Sequence, residues 1–287
     1  MSLVNSKSML QSAWEGKYAV GAFNVVNLEF LEAIFETAVA TSSPLILSIA
    51  EVHLPFVNLE NICPIIRDMA LRAHVPIALH LDHGVSQATV WRSLRNGFTS
   101  VMFDGSKLPF ENNIAETRSI VELCHPLGVT VEAELGAVGG DEGGGLESQA
   151  DPSLFTDPAM AKEFVDKTGV DALAVAIGNS HGKYKGEPKL DFARLQHINE
   201  LCGIPLVLHG GSGISATDFK HAIRLGIAKI NFYTGMSQAA LTAASAFMAA
   251  SSGRYHDYPL LMQNIKKAVA ETVAEQIDIF GCSGQGR

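Results

Sequence analysis

Residues Asp191–Gly213 read DFARLQHINELCGIPLVLHGGSG. Asp191–Cys202 carries apolar side chains at three- and four-residue spacing, the period of an amphipathic helix. Gly203 follows, where a left-handed residue ends a helix most cheaply. Leu206–His209 is a short run, apolar up to its final residue, as expected of a parallel strand buried on both faces. The glycine-rich turn Gly210–Gly213 then leads into a further helical stretch, Ser215–Leu225.

This phrase of helix, glycine and short apolar strand recurs along the chain. Strands are predicted at Ala19–Asn24, Leu45–Ile49, Pro76–Leu81, Ser100–Phe103, Thr130–Leu135, Ala172–Ile177, Leu206–His209 and Ile227–Asn231. Helical stretches fall between them: Leu28–Ala38 led by Asn27, then Leu59–Ala73, Ser86–Asn96, Glu111–His125, Asp157–Thr168, Asp191–Cys202 and Ser215–Leu225. Asp157-Pro158 supplies a cap and a proline at the first helical position. Eight strands in strict alternation with helices predict a (β/α)8 (TIM) barrel rather than an open sheet. No linker interrupts it, so residues 1–287 read as one domain, with a C-terminal helical extension near Thr234–Ala250 and Tyr258–Phe280. Gly136–Thr156 is the long irregular segment, read as a lid over a site or as a surface excursion.

Composition removes other classes. Of 287 residues, 47% are hydrophobic and 18% charged, which excludes a disordered chain. With 21 Lys and Arg against 30 Asp and Glu, the net charge is −9, and no basic cluster suggests nucleic acid as a partner. An anionic small molecule stays possible, because backbone N–H groups and one Lys can hold a phosphate in an acidic protein. Cys63, Cys124, Cys202 and Cys282 are widely spaced, which fits a reducing cytoplasm rather than a disulfide scaffold. Met1–Gln11 lacks an apolar run, so no signal peptide is expected, and no stretch is long enough to span a membrane.

In such a barrel, reactive groups gather at the C-terminal strand ends. Three of those ends carry His followed by Gly: His83, His181 and His209. A lone His is usually structural, but three imidazoles converging from separate strands make a Zn2+ site with one position left open. Asp82 precedes His83 and reads either as a general acid/base or as an acceptor holding a His ring. Glu134 faces the same mouth and reads as an alternate metal ligand or a structural acid. The remaining histidines read as structural, with His80 open because it shares a strand face with Asp82. The turn Gly210-Gly211-Ser212-Gly213 before a helix, together with Asn231–Thr234, sits where these barrels often bind phosphate. Lys185 could add a positive charge there.

These phrases are similar to those of class II, metal-dependent ketose-bisphosphate aldolases of the fructose- and tagatose-bisphosphate group. The matching stretches are Gly21–Asn24, Leu81–Gly84, Phe103–Ser106, Val131–Gly136, Gly178–Gly182, Gly186–Phe192 and Leu208–Gly213, in family order over nearly the whole chain. The resemblance implies reversible aldol cleavage of a ketose (bis)phosphate to dihydroxyacetone phosphate and an aldehyde, through a metal-stabilised enediolate. It implies His83, His181 and His209 as Zn2+ ligands, and Glu134 as a carboxylate that approaches the metal when substrate is absent. Asp82 would exchange a proton with the C4 oxygen, and Glu142 would remove the donor's proton. Gly182, Lys185, Gly210, Gly211, Ser212, Asn231 and Thr234 would cradle the donor phosphate, with Asn231 also holding the enediolate. A monovalent cation (Na+ or K+) near the phosphate and a homodimer or homotetramer are further implications.

Three departures lie at the substrate rim. Ala50 stands where the family usually offers Ser, Tyr233 where Asp or Ala is usual, and Gly143 where Asp is frequent. They point to a ketose phosphate other than fructose 1,6-bisphosphate. Arg254 and Lys266 are the candidates for holding a second phosphate. Two competing readings are another metal-dependent sugar-phosphate lyase or epimerase, and a non-catalytic barrel subunit that supports an aldolase partner.

Overall fold

The structure is a computed structural model, and it describes residues 3–140, 147–250 and 257–286. Among the described residues, eight parallel strands close into a barrel: β1 (Val20–Asn24), β2 (Leu45–Ala50), β3 (Ile77–Gly84), β4 (Ser100–Phe103), β5 (Thr130–Leu135), β6 (Ala172–Val175), β7 (Leu206–Leu208) and β8 (Ile227–Phe232). Pairing of β1 with β8, Val20 opposite Lys229 and Ala22 opposite Asn231, completes the ring. All but one of the strand residues are buried, as a parallel sheet covered by helices and filled from within requires.

The covering helices begin where the sequence places their caps. Asn27 accepts from the Phe30 N–H at 2.9 Å at the start of α2 (Leu28–Ala40). The side chains of Ser86, Asp157, Asp191 and Ser215 do the same for the helices that follow them. Each cap satisfies an N–H that the helix itself leaves unpaired. Two closing helices, Thr234–Ala249 and Tyr258–Ile279, follow β8, and the second buries Val269, Val273 and Ile277.

The structure adds elements that the sequence pattern did not suggest. A helix at Lys7–Gly16 precedes β1 and buries Met9, Leu10 and Ala13. Ser6 bonds Ser100, and the Lys7 N–H bonds Thr130, so this segment lies against the N-terminal ends of β4 and β5. The Gly136–Thr156 segment is not wholly irregular. Glu147–Ser148 pairs with Lys183–Tyr184, Gly139 bridges Ser180, and Pro152–Leu154 forms a 3-10 turn. The loop after β5 is thus tied to the loop after β6. Strand β3 also runs further than expected, to Gly84, so Asp82 and His83 lie within it.

Candidate active site at the C-terminal mouth

Asp82 and His83 are neighbours, and in a regular strand they would point to opposite faces. The β3–β4 register shifts between Leu81 and Gly84, and His83 adopts φ +48°. This irregularity re-aims His83, so both side chains serve one mouth, a common use of bulges beside active sites. The left-handed backbone at a non-glycine residue is the cost of that placement.

His83, His181 and His209 come together as the sequence predicts. Candidate ligand atoms of the three all lie within 4.8 Å of one another. His209 Nδ1 is 2.8 Å from His83 Nε2, and the His83 and His181 rings are 4.9 Å apart. The outer nitrogens of two rings face carboxylates: His83 Nδ1 lies 2.9 Å from Asp104, and His209 Nε2 lies 3.0 Å from Glu132. Carboxylates accept, so those nitrogens carry the hydrogens, and the lone pairs of His83 Nε2 and His209 Nδ1 point inward. Burial, reinforced by the charge on neighbouring rings, pushes the His181 and His209 pKa values down and favours the neutral imidazoles that ligate metals.

Asp82 is buried and doubly held. Asn24 Nδ2 donates to one oxygen at 2.9 Å and Asn231 Nδ2 to the other at 2.7 Å. Burial alone would raise its pKa, but the influence of the nearby His83, His209 and Lys229 side chains outweighs burial and holds the carboxyl well below its usual range. Glu134 shows the opposite balance. Burial first, then the nearby Asp104 carboxylate, pushes its pKa up to about 8. Its Oε1 accepts from the Val138 N–H at 3.0 Å, while Oε2 is buried with no hydrogen-bond partner among the described residues. Glu134 also forms a second possible metal group with His83 and Asp104. Three converging imidazoles beside an unpartnered buried carboxylate oxygen are a donor set that fits Zn2+.

The phosphate-cradle residues largely come together. Gly182, Gly210, Gly211, Ser212, Asn231 and Thr234 line one cleft, with Asn24, His181 and Tyr233. Gly210 has φ +65°, and a Cβ there would run into the Ser180 carbonyl, so only glycine fits. The Tyr184 hydroxyl accepts from the Ser180 N–H at 2.8 Å and donates to the Gly210 carbonyl at 2.9 Å, stitching the two histidine-bearing loops together. Lys185 is exposed and lines a neighbouring cavity with Phe155 and Glu187 rather than this cleft. A second cavity of about 330 Å³ opens over His83, His181 and Glu134, with Glu51, Val85 and Lys107 at its rim.

Other expectations resolve differently. Glu142, Gly143 and Arg254 lie outside the described residues. Lys266 does not face the mouth: it bonds Glu32 and Glu36 of α2, each at 2.8 Å, joining two outer helices. Sequence reasoning assigned no role to Asn24, Asp104, Glu132, Asn179, Tyr184 or Lys229, all of which hold site residues or each other in place. Asn24, Asp104, Glu132 and Asn179 sit inside the matching phrases, where a signal was available. Lys229 announced itself only as a charge inside an apolar strand.

The family model for fructose-bisphosphate aldolase class-II matches residues 4–285. The chain belongs to this family. It is similar to the YdjI aldolase from Escherichia coli K12, at 38% identity and a TM-score of 0.89, covering 99% of this chain and 100% of that one. The fold is also that of the fructose-bisphosphate aldolase from Campylobacter jejuni, at 22% identity and a TM-score of 0.81, covering 98% of this chain and 96% of that one. The protein is a metal-dependent aldolase, which sets aside the non-catalytic reading. No described helix is long and apolar enough to cross a membrane.

Proposed function

We propose that this aldolase uses one Zn2+ per chain, held by His83, His181 and His209, to cleave a ketose phosphate reversibly into dihydroxyacetone phosphate and an aldehyde. The convergence of three imidazoles beside a buried Asp82 held by two amides is the observation that carries this reading. Bound there, Zn2+ supplies Lewis acidity for the negative charge that develops when the C3–C4 bond breaks.

The protein's own groups do the rest. Asp82, ionised and clamped by two amides, accepts the C4 hydroxyl proton in cleavage and returns it in condensation. Glu142 delivers the balancing proton to C3 of the three-carbon fragment, and removes it in the reverse direction. Asn231 holds that fragment. Gly182, Gly210, Gly211, Ser212 and Thr234, at the N-terminus of the Thr234–Ala249 helix, receive the phosphate on backbone N–H groups and hydroxyls. Lys185 acts from outside the cleft as a solvated positive charge, and a Na+ or K+ beside the phosphate belongs to the same reading. Glu134 would be the carboxylate that approaches the metal when substrate is absent.

The substrate is a ketose phosphate other than fructose 1,6-bisphosphate. Ala50 offers no hydroxyl at the end of β2, and Tyr233 fills part of the cleft beside His53, with ring centroids 4.5 Å apart. The working form is a cytoplasmic homodimer or homotetramer. Zinc-loaded protein with dihydroxyacetone phosphate and a panel of aldehydes, with products read by NMR, tests the reading. A preferred product other than fructose 1,6-bisphosphate, by its aldehyde or its stereochemistry, supports it, whereas no carbon–carbon bond formation with any aldehyde contradicts it.

A further inference from the structure

A buried lysine sits directly behind the candidate metal centre. Lys229 is 1% exposed, on the inner face of β8. Its Nζ donates to Glu132 Oε2 at 2.7 Å and to His80 Nε2 at 3.2 Å. Glu132 and His80 are equally buried. The ammonium has only hydrogens to give, so His80 Nε2 accepts, and its Nδ1 hydrogen goes to Ser100 Oγ at 2.8 Å. Ser100 Oγ accepts also from Ser6 at 3.0 Å. On the other side, Glu132 Oε1 takes the Nε2 hydrogen of His209. A hydrogen-bonded column thus crosses the barrel from the N-terminal segment to a metal-facing imidazole.

A buried ion pair is a poor device for stability alone, because desolvating two charges offsets most of their attraction. A pair of apolar side chains would fill the same space. The ion pair does something an apolar pair cannot. Lys229, 2.7 Å from Glu132 Oε2, holds the carboxylate in one orientation. The carboxylate then has a single free oxygen, and that oxygen can only accept. His209 must present an N–H to it from Nε2, which leaves Nδ1 as an acceptor toward His83 Nε2 and the centre, where Asn231 Nδ2 also donates to it at 3.3 Å.

We propose that Lys229 and Glu132 are positioning residues that fix the tautomer and ring orientation of His209 for metal binding. The inference rests on the zinc reading above, and adds which groups outside the ligand set prepare one ligand.

Glu132→Gln tests it. The amide oxygen stays with the Lys229 ammonium, so the amide NH2 turns to His209 Nε2. That nitrogen must then accept, and the hydrogen moves to Nδ1, where the metal belongs. The double variant Glu132→Gln with Lys229→Met removes both charges and relieves any buried imbalance, but restores no carboxylate. Three readouts separate positioning from packing: the zinc dissociation constant by chelator competition, the His209 imidazole ¹⁵N shifts in metal-free protein, and the metal-free thermal midpoint. The expected result is zinc affinity 10–100-fold weaker in Glu132→Gln, the range for lost carboxylate partners of metal-binding histidines, with partial recovery in the double variant, where the freed amide can turn its oxygen to His209 Nε2. The Nδ1-protonated form appears in Glu132→Gln, and the double variant regains most of its thermal midpoint. Wild-type zinc affinity or an unchanged tautomer in Glu132→Gln, or a double variant whose affinity recovers while the Nδ1-protonated form persists, overturns the proposal. If the wild-type protein binds no zinc, the zinc reading fails, and the imidazole shifts of the metal-free proteins still decide the positioning claim.

Discussion

The two sides of the barrel mouth are built differently. On the metal side, each candidate group stands on a strand or close behind it, is largely buried, and has its position fixed by a neighbour: Asp104 for His83, Glu132 for His209, Asn24 and Asn231 for Asp82. At the outer rim of the cavity above them, side chains stand on loops and face water, with Val85 61% exposed and Lys107 exposed. Bond cleavage needs atoms held to fractions of an ångström. Choice of aldehyde can be made by groups that adjust. The contrast assigns chemistry to the rigid side and substrate range to the loose one, and substitutions on the two sides should fail in different ways.

The largest effect is expected from the rigid side. His209→Ala removes a fully buried candidate ligand, and should abolish turnover while stripping zinc from the protein. Metal content after gel filtration checks this; one Zn2+ per chain with normal turnover would show that His209 is not a ligand.

Next come the two proton carriers, each expected to contribute about 10²–10⁴-fold. Asp82→Ala should lose carbon–carbon cleavage yet still exchange the donor's proton with solvent deuterium. Glu142→Ala should lose that exchange. Equal loss of both reactions in both variants would break the division of labour.

Glu134 gives a smaller, pH-dependent signal. Its folded pKa of about 8 stands above the ordinary 4.5, so the folded chain holds a proton that the unfolded chain releases. Stability of the metal-free protein therefore falls as pH rises between those values. Glu134→Gln does not titrate, so its thermal midpoint should gain on wild type by a few °C from pH 5 to pH 8. A constant difference across that range would mean that Glu134 is ionised throughout.

The smallest effect is expected at the rim. Ala50→Ser restores a hydroxyl worth roughly 0.5–1.5 kcal/mol, a few-fold gain in kcat/KM toward fructose 1,6-bisphosphate. Wild-type efficiency of ~10⁴ M⁻¹s⁻¹ or more, with fructose 1,6-bisphosphate as the best substrate, would remove the argument from Ala50 and Tyr233.

The barrel was legible because its signals are local. Helix periods, caps at Asn27 and Asp157, and glycines such as Gly169 and Gly203 at positive φ mark each unit without reference to the others. The three histidines were legible because each stands beside glycine at or shortly after the C-terminal end of a strand. What escaped depends on pairs distant in sequence. Lys229 and Glu132 are 97 residues apart and meet only across the closed barrel. The β3 irregularity that turns His83 toward Asp82 is a property of register with β4, not of the phrase Leu81-Asp82-His83-Gly84. The helix Lys7–Gly16 escaped for a related reason: it packs against the N-terminal end of the barrel, which carries none of the reactive side chains.

His83, His181 and His209 are proposed to form one zinc site on which dihydroxyacetone phosphate is activated. The most direct measurement is the rate of solvent deuterium exchange into dihydroxyacetone phosphate, without any aldehyde, by native, metal-stripped and zinc-restored protein. Exchange by the native enzyme, loss on stripping, and recovery with one Zn2+ per chain are the expected results. Undiminished exchange by the stripped protein, or none by the zinc-loaded one, would contradict the proposal.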